Sequence, residues 1–332
     1  GRHDLPWQHD RSPYRVWVSE IMLQQTQVST VIDYFNRFMA SFPDLEALAK
    51  ADLDDVLAHW SGLGYYARAR NLHACAKQCL LKHKGELPDD PSQLEALPGI
   101  GRSTAHAIVA QAHNRRAVIL DGNVKRVLAR HELIEGYTGK ASVQKSLWAT
   151  ADRLTPKDSA RDYTQAIMDL GATVCRRSRP NCTDCPVNQD CQARLLGRTH
   201  ELPTPRPKRE KLDVALHFFV LRNKKGEVLL ERRKEDGIWG GLWCLPQTLG
   251  GFRVTKDLGP DLEPMTHLLT HRRLHLSFEH CLVDEKSAAA NGSPASEWTW
   301  FTPEKALMLG LPRPIEMVIT ELCRQALDRI DT

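Results

Sequence analysis

At 332 residues, with 42% hydrophobic and 26% charged side chains and a formal net charge of +4, the chain has the make-up of a two-domain globular protein and not of a disordered one. No apolar run approaches the roughly 18 residues of a membrane-spanning helix. Nine cysteines, an odd number, and the lack of a signal-peptide pattern argue against a disulfide-stapled secreted domain and for a reducing compartment. The first residue is Gly and not Met, which suggests that residues precede it.

The first part of the chain reads as helix almost throughout. Ser12 followed by Pro13 gives an N-cap and a proline at the first helical position, opening a helix that carries VWVSEIMLQQTQ through to Gln27. Further helices fit VIDYFNRFM, DLDDVLAHW and, after an SGLG turn, YYARARNLHACAKQCLLKHK, stopped by Gly85. QLEAL, RSTAHAIVAQA, GNVKRVLARH, VQKSLWATADRL and DYTQAIMDLGATVC complete an all-α half with no convincing strand alternation. Residues 197–211, GRTHELPTPRPKREK, hold three prolines, many charges and almost nothing to bury, and read as a semi-rigid, solvated linker. Beyond it, HFFVLRNKKGEVLLERR places a turn between two strand-like runs, and IEMVITELCRQAL closes the chain with an amphipathic helix, so 212–332 is expected to be α+β. Charge follows the same division. Residues 1–211 carry 30 Lys and Arg against 24 Asp and Glu, and residues 212–332 carry 15 against 17, which makes the first part the expected nucleic-acid face.

Three features carry chemistry. Cys175, Cys182, Cys185 and Cys191 follow a C-x6-C-x2-C-x5-C pattern, dense enough to close around one metal centre. Zinc sites of four cysteines usually pair two short knuckles. Only one short pair is present here, so the spacing favours an iron–sulfur cluster, with zinc as the alternative. Four cysteine ligands close the coordination sphere, which fits a structural centre. Arg176, Arg177 and Arg179 inside the loop then form a pinned cationic surface for phosphates. The remaining cysteines, Cys75, Cys79, Cys244, Cys281 and Cys323, sit among apolar neighbours and read as buried thiols.

The second feature, LEALPGIGRSTAHAIVA over 94–110, is helix, tight Leu-Pro-Gly-Ile-Gly hairpin, helix. Its glycines allow close approach, and the free N–H groups opening the second helix suit a DNA phosphate. The third is a pair of carboxylates. Glu20 interrupts the apolar run VWVSEIML, where burial should raise its pKa and keep it protonated as a general acid needs. A polar helix face that includes Ser19 and Glu20 is the plainer alternative. Asp121 precedes a helix as an N-cap, and free N–H groups there should hold it ionised beside a cationic transition state.

Together LPGIG, LDGNVKRVLAR and the cysteine loop resemble the endonuclease III superfamily of DNA glycosylases. LPWQ, PYRVWVSEIMLQQTQV, GLGYYARARNL and LPGIGRSTA narrow the resemblance, nearly continuous over residues 5–195, to its adenine-removing MutY branch. The resemblance implies a multidomain enzyme: an all-α helix-hairpin-helix glycosylase domain over 1–196 with a [4Fe-4S] cluster in the 175–191 loop, a linker, and a Nudix-like recognition domain over 212–332. It implies removal of adenine opposite 8-oxoguanine or guanine in double-stranded DNA by a cytoplasmic, nucleoid-associated monomer, with a monovalent cation at the hairpin.

By the same resemblance Glu20 protonates adenine at N7, Asp121 stabilises the oxocarbenium ion or bonds to it transiently, and Asn123 orients both Asp121 and the sugar. The two-carboxylate pattern is that of glycoside cleavage. Trp7, Val28 and Gln165 line a pocket for a flipped base. Gln25 and Tyr65, with Thr26 and Leu63 beside them, insert next to the opposite base, while Gly99 and Gly101 meet the backbone. Ser103 stands where strand-cleaving members carry a Schiff-base lysine, so efficient nicking is not expected; Lys125 lies near the site. No acidic cluster of the Nudix hydrolase kind occurs between 245 and 280, so the second domain should read a base without hydrolysing nucleotides. Where relatives carry Phe-Ser-His against 8-oxoguanine, the best match is Arg273-Leu274-His275, and a register shifted by a few residues puts His271 or His280 there. A sibling enzyme for another base and a non-catalytic DNA binder are the competing readings, disfavoured by Ser103 and by the Glu20–Asp121 pairing respectively.

Overall fold

A computed structural model describes residues 4–207, 210–257, 263–284 and 297–328. Positions 208–209 of the expected linker and 258–262 of the stretch searched for the acidic signature lie outside them. Two units divide the chain, one formed by residues 1–50 and 71–208, the other by 51–70 and 209–332.

The helices in chain order are α1 (Pro6–His9), α2 (Pro13–Leu23), α3 (Val28–Ser41), α4 (Leu45–Lys50), α5 (Leu53–His59), α6 (Ala67–Lys82), α7 (Pro91–Glu95), α8 (Arg102–His113), α9 (Gly122–His131), α10 (Ala141–Leu154), α11 (Ala160–Asp169) and α12 (Gln192–Leu195). In the first unit their cores follow the period of 3.6. Leu72, Cys75, Ala76 and Cys79 of α6 are all buried, as are Ala105, Ile108 and Val109 of α8. Helix α9 buries Val124, Val127 and Leu128 in a cluster with Val143, Leu147 and Ala151 of α10 and Ile167 of α11. The hairpin between α7 and α8 turns at Gly99, whose φ is +75° and where a Cβ would stand 2.6 Å from Asn71 Cβ. Only glycine fits there.

Three expectations need correction. Helix α2 stops at Leu23 and not at Gln27, because Gln25 adopts a left-handed φ of 59°, and a fresh helix starts at Val28. The run 162–175 is not one α-helix. After α11 it widens into a π-helical turn, Leu170–Val174, where a Cβ on Gly171 would lie 2.6 Å from Asn123 Cβ. Nor is the linker solvated throughout: Leu202 is 2% exposed and its carbonyl accepts from the buried Arg130, while Thr204 pairs with Tyr137 and its hydroxyl accepts from the Gly136 amide. One apolar residue among the charges and prolines is enough to dock the segment.

Among the described residues the second unit holds a seven-stranded sheet. Its strands are β1 (Leu212–Arg222), β2 (Val228–Arg232), β3 (Trp243–Cys244), β4 (Arg253–Asp257), β5 (Met265–Leu268), β6 (Arg272–Asp284) and β7 (Glu297–Phe301), in the order β3-β2-β1-β6-β4, with β5 also on β6 and β7 on β2. β1 and β6 run parallel from Leu212↔Arg272 to Arg222↔Leu282. Helix α13 (Pro303–Ala306) leads into α14 (Arg313–Asp328), which packs Ile315, Val318, Ile319 and Leu322 on Phe218, Val220, Leu274 and Leu276 of the sheet. Cys244 and Cys281 are buried as expected; Cys323 on α14 is only partly so.

Residues 51–70, read from sequence as part of the helical domain, group with this second unit. Asp54 of α5 accepts from Trp243 Nε1 at 3.2 Å and pairs with Arg232 at 2.7 Å, and Tyr66 donates to the Leu311 carbonyl at 3.0 Å. The turn bearing Leu63 and Tyr65 is therefore built against the sheet.

Candidate active site

A cavity of about 920 Å³ opens in the first unit, walled by α2, the α2–α3 turn, the start of α8, the α9 N-terminus and the end of α11. Trp7, Glu20, Gln25, Thr26, Val28, Ser103, Asp121, Asn123 and Gln165 all line it. Nine residues singled out from six separate stretches of sequence thus face one space.

Glu20 sits on the face of α2 that carries Val16 and Leu23 into the cavity wall. It keeps some exposed surface, yet the enclosing protein pushes its pKa up to about 8, with the Asp121 charge adding to the rise. Burial is thus the larger cause of the rise. Asp121 caps α9, accepting from the Val124 amide at 2.7 Å. The Val124 and Asn123 amides, Arg126 and Lys125 all draw its pKa down, but burial outweighs them and the net direction is upward. Here the helix N-terminus moderates the desolvation without cancelling it. Lys125 is pushed down by burial, and Asp121 partly restores it.

Ser103 is tied into the fold, its Oγ accepting from the Leu120 amide at 3.1 Å next to Asp121. Trp7 is buried edge-on against Phe35, with ring centroids 5.3 Å apart. Gln25 is exposed at the rim, in its left-handed conformation. Tyr65, in the second unit, shares that conformation at φ 51° and leaves 46% of its surface exposed. Positive φ is uncommon for side chains of this kind, and such residues concentrate at functional turns. The Tyr65 hydroxyl lies 3.2 Å from Thr270 Oγ1 in the β5–β6 turn, Arg68 lies over its ring, and Leu63 beside it is buried.

His275 stands within β6, half exposed, with Nε2 2.8 Å from Asp213 Oδ1, and Arg273 reaches the same carboxylate at 3.4 Å. Leu274 between them is fully buried in the sheet core. His271 lies at the turn next to Thr270, and His280 is buried.

The four loop cysteines form no disulfide and are partly exposed. Burial and the neighbouring thiolates push Cys182 and Cys185 up, so the sulfurs feel one another, although no three His, Cys, Asp or Glu among the described residues meet at single-ion spacing. A donor set of four thiols with guanidiniums close by matches an anionic, sulfur-ligated centre. Arg130 of α9 is the clearest of these. Only 2% exposed, it donates to Cys175 Sγ at 3.3 Å and to the Arg176 and Arg177 carbonyls. Arg176, Arg177 and Arg179 point outward, and Arg177 reaches the cavity wall.

Several cavity residues escaped the sequence reading: Arg11, Gln111, Arg126 and Asp169. Gln111 had a signal, being the lone amide in the buried face of AIVAQA. Arg126 and Arg130 recur four apart on α9, but nothing in that spacing points to the distant loop they hold.

Residues 18–152 match the model of the HhH-GPD superfamily of base excision DNA repair proteins, and residues 217–321 match that of the NUDIX domain. The adenine DNA glycosylase of Buchnera aphidicola subsp. Baizongia pistaciae is 34% identical over 331 residues, covering 97% of this chain and 93% of that protein. The Homo sapiens adenine DNA glycosylase is 43% identical over 210 residues, covering 60% and 38%. A thermostable thymine-DNA glycosylase has a similar fold, with TM-score 0.51, 27% identity, and 58% and 89% of the two chains covered. An endonuclease III in non-covalent complex with DNA shares the fold at TM-score 0.50 and 23% identity, with 57% and 86% covered. With a relative matched along almost its whole length, this chain belongs to the adenine DNA glycosylases, the MutY-type base excision repair enzymes that join a helix-hairpin-helix glycosylase domain to a C-terminal Nudix-like domain.

Proposed function

We propose that this adenine DNA glycosylase acts on adenine opposite 8-oxoguanine or guanine, hydrolysing the N-glycosidic bond of the flipped nucleotide and leaving the strand unbroken. One observation carries the reading. Glu20, with a pKa near 8, and Asp121, capping a helix, share a cavity of about 920 Å³. Glu20 enters the reaction holding a proton at neutral pH and gives it to the departing base. Asp121 supplies negative charge under the sugar as positive charge develops there. Asn123, held by Arg126 at 2.8 Å, orients that carboxylate and the sugar. Trp7, Val28 and Gln165 enclose the base, which must leave the stack to reach them.

Gln25 and Thr26 at the rim, and Leu63 and Tyr65 on the second unit's turn, take the place of the extruded base and contact its former partner. Gly99 and Gly101 present N–H groups to a phosphate, and His275 contributes to reading 8-oxoguanine. Ser103 cannot form an imine, and Lys125 allows only minor trapping. Cys175, Cys182, Cys185 and Cys191 would hold a [4Fe-4S] cluster, which when bound supplies shape and positive surface to the loop and makes no bond to substrate.

Labelled duplexes with adenine opposite 8-oxoguanine, adenine opposite guanine, thymine opposite guanine, and thymine glycol test this, each resolved with and without alkali. Cleavage of the first two only, and only after alkali, is the expected result. Release of thymine or thymine glycol at comparable rates, or nicking without alkali, contradicts it.

A further inference from the structure

Four side chains on the cavity wall form one hydrogen-bonded line. Arg11 Nη1 donates to Gln111 Oε1, Gln111 Nε2 donates to Gln165 Oε1 at 3.2 Å, and Gln165 Nε2 donates to Asp169 Oδ1 at 3.0 Å. All four line the cavity that contains Glu20 and Asp121. A guanidinium can only donate and an ionised carboxylate can only accept. With both ends fixed, each amide between them has a single orientation that matches donors to acceptors on both sides. Turning either one sets two donors or two acceptors face to face. Gln111 is 5% exposed, so water does not rescue a mismatch there.

We propose that Arg11, Gln111 and Asp169 are positioning residues that lock the polarity of the Gln165 amide, and that this polarity selects adenine against purines with the opposite edge. The inference rests on the reading that the flipped base enters this cavity. Adenine offers an amino donor beside a ring-nitrogen acceptor, an edge that a glutamine amide matches with both of its ends. Hypoxanthine, the product of adenine deamination, offers a carbonyl acceptor beside a ring N–H donor. An amide locked for the first edge is mismatched at both places to the second.

Single-turnover base release from adenine and from hypoxanthine, each opposite 8-oxoguanine, gives the test. Wild type should favour adenine by about tenfold or more. Either end alone still fixes Gln165, so Asp169→Asn or Gln111→Leu by itself should keep the preference, whereas Gln111→Leu combined with Asp169→Asn removes both fixed partners and should bring the two rates to within roughly threefold. The double variant Gln111→Glu with Asp169→Asn inverts the line. The carboxylate at position 111 accepts from both Arg11 and Gln165, the amide at position 169 donates to Gln165, and hypoxanthine should become the preferred base. Gln111→Leu combined with Asp169→Ala, which also removes both fixed partners of the Gln165 amide, serves if the Gln111→Leu, Asp169→Asn variant does not fold, and should also lose the preference. Full adenine preference in the folded variant lacking both partners, or in the double variant Gln111→Glu with Asp169→Asn, overturns the proposal. Gln165→Leu separates this from the parent reading. If it alters neither rate, the base does not enter the cavity. If it abolishes the preference while the double variant fails to invert it, only the locking role is wrong.

Discussion

Arg126 donates through Nε to the main-chain oxygen of Cys175 at 2.7 Å, and its Nη2 donates to Asn123 Oδ1 at 2.8 Å and to the Gly171 carbonyl at 2.6 Å. One guanidinium thus ties the cysteine loop to the residue two places after Asp121. The loop's shape is in this way a condition for the site's shape. The protein is expected to be brown, with the broad visible absorbance of a thiolate-bound four-iron cluster. Cys182→Ser should lose colour and fold poorly or bind DNA weakly. A colourless, fully active protein with one bound zinc contradicts the cluster assignment.

Asp121→Asn keeps a side-chain oxygen that can cap α9, so thermal stability should change little. The negative charge goes, and base release in single turnover should fall by at least about 10²-fold while mispair binding is retained. Asp121→Ala should lose the same activity and in addition about 1 kcal/mol of stability, because the Val124 amide is left without its cap. Near-wild-type release by Asp121→Asn removes the residue from the chemistry.

Ser103→Lys places an amine on the cavity wall next to Asp121. It should raise strand nicking without alkali and permit borohydride trapping of enzyme on DNA. It also loses the bond from the Leu120 amide, a cost of about 1 kcal/mol that a melting curve would register. No gain in nicking by the folded variant means that serine at this place is not what limits strand cleavage.

The two carboxylates were legible because they break the local apolar pattern, whereas Trp7, Val28, Asn123 and Gln165 came only with the family motifs around them. Glu20 stands out in VWVSEIML, and Asp121 before a helix is an N-cap wherever it points. What stayed hidden depends on long-range packing. The upward shift of Asp121 is set by how much protein covers the α9 N-terminus, which no local pattern records. The Gln25 turn that ends α2 early lies in a polar run, QQTQ, compatible with continued helix, so only the backbone reveals it. The grouping of 51–70 with the sheet turns on Asp54, Tyr66 and their partners, more than 170 residues away in sequence for each pair. In the second unit, alternation found the strands, but it could not say which histidine beside Leu274 sits at a turn.

Recognition of the opposite base tests that last point. His275 and Arg273 share Asp213, whereas Thr270 joins Tyr65. His275→Ala is expected to weaken binding to adenine opposite 8-oxoguanine more than to adenine opposite guanine, on the order of 1–3 kcal/mol. Arg273→Ala should weaken both about equally and flatten the salt dependence. A selective loss in His271→Ala, with none in His275→Ala, assigns the contact to the β5–β6 turn instead.

The central claim is that Glu20 holds its proton in the free cavity up to a pH near 8, against an ordinary value of 4.5. Between those values the native chain binds more protons than the unfolded one, so this group's contribution to stability falls as pH rises through that window and levels off above it. Glu20→Gln should therefore be more stable than wild type above pH 8, by up to a few kcal/mol, and little different below 4.5. The most direct test is the single-turnover rate of adenine release opposite 8-oxoguanine as a function of pH, for wild type and Glu20→Gln. Wild type should hold a plateau through neutrality and then fall by about tenfold per unit above a pH near 8, while Glu20→Gln runs flat, lower by about 10²-fold or more. A wild-type rate that stays level or climbs well past pH 9, or a Glu20→Gln variant near the wild-type rate, contradicts the account.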